Sequence, residues 1–134
     1  MKIYVQKSLV LVLCLLGALA VIIGAFGAHG LENHLTEQQK EIYDTAVFYH
    51  FAHVLAGLYA WNQIRGDQRW AAMSVIFFCL GIFLFSGSLY LLSTADFFSI
   101  SKTYLGPITP VGGLFFILGW LSLGYHHFNT QNFS

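Results

Sequence analysis

Residues 8–28 read SLVLVLCLLGALAVIIGAFGA, without one charged side chain. A helix needs roughly 20 mostly apolar residues to cross the hydrocarbon of a bilayer, and this stretch supplies them. Lys2 and Lys7 stand before it and Ala25-Phe26-Gly27 offers small residues after it, the outline of a secretory leader. Its apolar core exceeds the roughly 7 to 15 residues of such leaders, so a membrane span is expected. In Leu11-Val12-Leu13-Cys14 a bulky leucine, Leu13, sits where a lipoprotein signal needs a small residue before the cysteine, so no lipid anchor is expected.

Three further stretches fit the same template. Residues 70–93 carry no charge and begin with Trp70, a residue type that anchors helices at the headgroups. Residues 43–61 are less apolar, with Asp44 at the start and His50 and His53 within. Residues 109–126 begin with Thr109, a good N-cap, and Pro110, whose missing N–H costs nothing at the first helical position. The expected fold class is all-α, an integral membrane four-helix bundle in which residues 1–134 form a single domain.

Composition agrees, since 57% of the 134 residues are apolar and only 9% charged. Six Lys and Arg against six Asp and Glu leave no basic stripe, and nucleic acid is excluded as an expected partner. Cys14 and Cys79 both fall in apolar stretches, where a thiol acts as a small packing residue, and no disulfide is expected. The N-terminus and second connection hold Lys2, Lys7, Arg65 and Arg69, whereas the first and third connections hold Lys40 and Lys102. By the positive-inside rule both termini are expected in the cytoplasm.

Helices in lipid associate through small residues that let backbones approach. Gly17, Ala20, Gly24 and Ala28 fall on one face of the first span, Ser74, Gly81 and Ser88 on the third, and Gly112 and Gly119 on the fourth. These columns are expected to be packing seams, with homo-oligomer contacts as a second use.

The segments GAFGAHGL (24–31), Tyr49-His50, FSGSLY (85–90), GPITPVGG (106–113) and Gly119-Trp120 together resemble the membrane proteins grouped as domain of unknown function 423. That family has bacterial members and a eukaryotic transmembrane protein 256 branch. The resemblance covers nearly the whole chain. It implies a multi-pass protein of the bacterial inner membrane and supplies no activity, substrate or catalytic residue.

Alternating spans bring these segments toward one membrane face. At 1.5 Å per residue, His50 lies about 10 Å below Tyr43 and Ser88 about 9 Å below Thr94. The expected ligand pocket therefore comprises His29, Glu32, Asp44, His50, His53, Ser86, Ser88, Tyr90 and Thr109. An intramembrane ionisable residue is a functional candidate by default. The competing expectation is that His50 and His53 hydrogen-bond Ser86, Ser88, Tyr90 or a carbonyl and hold helices in register. His126-His127 is expected at the inner interface.

The histidines suggest zinc or copper chemistry, yet no His-Glu-x-x-His motif or cysteine pair accompanies them, and neither a metal nor a cofactor is expected. Nor is there a nucleophile elbow or a phosphate loop, and no catalytic residue is assigned. Two functions stay open: binding or transport of a small ligand of unknown identity, and an accessory or assembly role in a larger membrane complex.

Overall fold

The computed structural model describes residues 3–65, 68–98 and 101–131. Of the charges used above for orientation, Lys2 and the side chain of Lys102 lie outside the described residues. Every described element is helical: α1 (Ile3–His29), α2 (Glu37–Asn62), α3 (Arg69–Gly81), a π turn (Ile82–Ser86), α4 (Gly87–Ser93), the short α5 (Ala95–Phe98) and α6 (Lys102–Leu105), and α7 (Ile108–Gln131).

Three helical stretches are long and apolar enough to cross a membrane: Gln6–His29, Arg69–Ser93 and Ile108–Thr130. They overlap three of the four expected spans. α2 is as long, but Glu37, Lys40, Glu41 and Asp44 make its first turns polar. Large apolar side chains face outward all along the molecule, among them Ile22 at 64% exposure, Phe48 at 69% and Phe83 at 67%. In water such a surface drives aggregation. In hydrocarbon it is the surface required.

α2 starts at Glu37, well before the expected position near residue 43, and the reason is local chemistry. Thr36 Oγ1 accepts the Gln39 amide at 3.3 Å, while the Thr36 amide donates to Gln39 Oε1 at 2.9 Å. This reciprocal capping box satisfies two amide donors that the helix start leaves unpaired. The other end of the same side chain, Gln39 Nε2, donates to Asp96 Oδ2 at 2.7 Å and ties α2 to α5. α7 also differs from expectation. It begins at Ile108, so Thr109 lies inside its first turn and is not the N-cap, and it runs past residue 126 to Gln131.

Successive long helices are antiparallel. Gly27 meets Tyr43 and Gly57 meets Leu13 across α1 and α2. Tyr43 meets Tyr90, and His53 meets Phe78, across α2 and the α3–α4 rod. Trp70 meets Tyr125, and Gly112 meets the Leu84–Phe85 backbone, across that rod and α7. α1 packs chiefly on α2, and α7 chiefly on α3 and the π turn. Segments 24–31, 43–50, 85–90 and 106–113 consequently share one end of the molecule, while Trp61, Trp70 and Tyr125 mark the other. Trp61 Nε1 pins that second end by donating to the Gln6 carbonyl at 2.9 Å.

Of the small residues expected on seams, Gly17 and Gly24 sit against Val54 and Val47, Gly81 against Phe116, and Gly119 against Phe78. Ala28 is exposed. The neighbouring Gly27 is the buried residue, lying under the Tyr43 ring, because α1 crosses α2 on that side.

Candidate functional site

Four of the nine candidate residues meet as two pairs where the helices touch. His50 projects from α2 and is only 2% exposed; its Nδ1 lies 3.2 Å from the Tyr90 hydroxyl of α4. The Leu16 backbone of α1 hydrogen-bonds the ring weakly, and Nε2, buried, makes no bond of good geometry. Ser86 closes the π turn one helical turn before Tyr90, and its Oγ is likewise buried with no partner. A residue four positions earlier on a helix occupies the same face, which turns Ser86 toward the interface that holds Tyr90 and His50. Tyr43 flanks this group, its hydroxyl donating to the Ile23 carbonyl at 2.7 Å and its ring meeting Tyr90 edge-on.

Ser88 and Thr109 form a second pair. Their hydroxyl oxygens are 2.7 Å apart and either can donate, since Ser88 also lies 2.9 Å from the Phe85 carbonyl and Thr109 3.4 Å from the Leu105 carbonyl. Both hydroxyls are thereby used in joining α4 to α7.

His53 has a different fate from His50. Its Nδ1–H donates to the Tyr49 carbonyl at 2.8 Å, which leaves Nε2 to accept the Trp120 indole N–H at 3.2 Å. The ring stacks on Phe116 with centroids 3.5 Å apart. With both nitrogens taken, this neutral imidazole has nothing left to offer a ligand. It faces a groove of about 490 Å³ between α2 and α7, whose walls include Phe48, Tyr49, Phe85, Phe116 and Trp120. That groove is apolar and open at the side, a fit for lipid chains.

His29, the last residue of α1, and Glu32, on the turn after it, are exposed, and Asp44 is exposed on α2 beside Val47, Phe48 and Phe51. The structure therefore places these three at the surface, apart from the buried group. Depth along a span brings residues to one level but does not fix the direction they face. Among the described residues no three His, Cys, Asp or Glu gather as metal ligands.

Several participants were missed in the sequence. Trp120 and Phe116 complete the surroundings of His53, and a hint was available: an indole N–H inside an apolar helix needs an acceptor. The π turn carries no periodic signature in IFLFS. It matters because an inserted residue shifts Ser86 relative to the α-helical face, and such turns recur at functional sites.

The family model described as Protein of unknown function (DUF423) matches residues 23–113. The chain belongs to this family. The match spans the end of α1, all of α2 to α6 and the start of α7, and so includes the His50, Ser86 and Ser88 interfaces. A UPF0382 membrane protein of Haemophilus influenzae is 38% identical over 127 residues, covering 95% of this chain and 98% of that one. Its counterpart in Staphylococcus epidermidis is 42% identical over 120 residues, covering 84% and 91%. A fission yeast member, from Schizosaccharomyces pombe, is 33% identical over 114 residues, covering 84% and 94%. No solved structure gives a significant match. Membership makes this chain a membrane protein with transmembrane helices and brings no activity with it.

Proposed function

We propose that this protein crosses the bacterial inner membrane four times, with both termini cytoplasmic, and binds a small neutral hydrogen-bonding molecule at His50, Ser86 and Tyr90, toward the outer side. The observation that carries this reading is the orphaned Ser86 Oγ, together with a His50 Nε2 that has no more than a weak bond to the Leu16 backbone. Leaving a buried polar group unsatisfied costs about 1 to 3 kcal/mol, and native structures rarely keep such groups without a use. A packing role would be served as well by alanine at Ser86. A charged guest would meet a much larger desolvation cost, which restricts the occupant to neutral species. His53, Ser88 and Thr109 support the site by fixing the helices, and His29, Glu32 and Asp44 belong to its outer approach.

Purified protein should carry the guest into mass analysis after mild-detergent extraction. His50→Gln retains hydrogen-bonding groups but not the imidazole, and should stay folded at a cost of about 1 kcal/mol while losing the guest and reproducing the gene-deletion phenotype. Ser86→Ala should lose the guest as well. A glutamine variant that is stable and fully active would remove His50 from the site.

The orientation has its own expected result. Single cysteines introduced at Lys102 and at Ser134 should react with an impermeant reagent from the outer and cytoplasmic sides respectively; the reverse pattern, or labelling from one side, would overturn it. The accessory-subunit reading draws on α1, which packs chiefly on α2 and leaves Leu11, Leu15 and Leu19 outward. It is favoured if purification yields a stoichiometric foreign subunit and no small molecule.

A further inference from the structure

At the end of the molecule opposite His50, a polar cavity of about 240 Å³ lies between the start of α3 and the end of α7. Its walls are Gln68, Arg69, Trp70, His126, Asn129 and Thr130. We propose that this cavity is a binding site for a phosphate oxyanion, carried by a phospholipid headgroup or free in solution.

Four features converge on an anion. Gln68 is the N-cap of α3 but makes no side-chain capping bond, so the first amides of α3 are left without that acceptor and the helix dipole is positive there. Arg69 adds a guanidinium, and no ion pair to it occurs among the described residues. His126 is 5% exposed and lines the cavity, and its ring makes no hydrogen bond among the described residues; that ring contacts the neighbouring His127 ring. A neutral imidazole there still donates one N–H, and the Asn129 amide supplies another donor. The C-terminal carbonyls of α7 and the buried, unpartnered Gln68 Oε1 oppose an anion, but Thr130 Oγ1 turns toward two of those carbonyls, His126 O at 2.9 Å and His127 O at 3.1 Å, and a half-turn of the Gln68 amide presents its NH2 instead.

Depth favours the lipid source. Trp70 and Tyr125, in edge contact at 4.6 Å, are amphipathic rings of the kind that settle at headgroup level, and they stand beside the cavity. The guanidinium fork matches two phosphate oxygens at once, which an ammonium cannot do.

The test uses the full chain in detergent, with phosphatidylglycerol and inorganic phosphate as separate probes and native mass spectrometry as the readout. Retention of phosphatidylglycerol by the wild type, about tenfold weaker in Arg69→Gln and reduced in His126→Leu, supports the site with a lipid source. Stabilisation by millimolar inorganic phosphate, lost in the same variants, supports it with a free-ion source. Arg69→Lys should bind more weakly than the wild type, since it keeps the charge without the fork. Unfolding midpoints of the exposed Arg69 variants within a few degrees of wild type would show that the effect is local. Equal binding of both probes by the wild type and Arg69→Gln, or binding of neither by the wild type, would overturn the proposal.

Discussion

Gly112→Val is expected to destabilise the protein by roughly 3 kcal/mol, as overpacking against immovable atoms does. The first side-chain carbon at Gly112 would overlap the backbone nitrogen of Phe85 and the backbone carbon of Leu84, inside the π turn. A side chain in the way can rotate aside, but here backbone must move, and it belongs to a helix held on its other face by α2. Gly113 and Gly124 lie on the same helix and serve as controls. A methyl at Gly113 would stand 3.8 Å from the Phe85 ring, and one at Gly124 would meet nothing within 4 Å. Alanine at either should change stability by no more than about 1 kcal/mol, with helix propensity favouring alanine. Unfolding in detergent compares the set. If Gly112→Val cost no more than Gly124→Val, the close approach of α7 to the π turn would be wrong.

His53→Ala is expected to cost about 3 kcal/mol, combining a core cavity with lost interhelical hydrogen bonding. The substitution removes the stack on Phe116, the bond to the Tyr49 carbonyl and the acceptor for Trp120. It strands an indole N–H where no water replaces the imidazole. His53→Phe keeps a ring on Phe116 and forfeits only the hydrogen bonds, so about 1 kcal/mol is expected. An alanine variant that cost less than its phenylalanine counterpart would contradict the packing described around His53.

These two residues also show what was legible beforehand. The three apolar stretches at 8–28, 70–93 and 109–126 could be read because a long run without charges has few uses outside a membrane. The start of α2 was legible too, in Thr36-Glu37-Gln38-Gln39, but it was hidden by attention to apolar content: the capped turns project from the apolar part of the helix, and hydropathy misses them. His50 and His53 were both expected within the protein, as pocket residues or as ties between helices, and both are buried. Their different fates were not legible, because they depend on which helix brings which partner. Trp120 arrives from α7 and saturates His53, whereas Tyr90 arrives from α4 and leaves one nitrogen of His50 over. His29, Glu32 and Asp44 were grouped with them by level alone. A helix has a circumference as well as a length, and short connections do not determine its rotation. The cavity beside Arg69 was missed for a related reason: His126 was placed at an interface with its neighbour, and only the crossing of α3 and α7 turns it inward.

The most direct test of the central reading is an experimental map of the protein in a lipid nanodisc, at a resolution that separates ordered water from larger molecules. The account predicts density for a molecule larger than water, hydrogen-bonded to His50 Nε2 and Ser86 Oγ and beside the Tyr90 hydroxyl, and absent from the map of Ser86→Ala. A lone water there, or Ser86 Oγ bonded directly to a protein group, would contradict it.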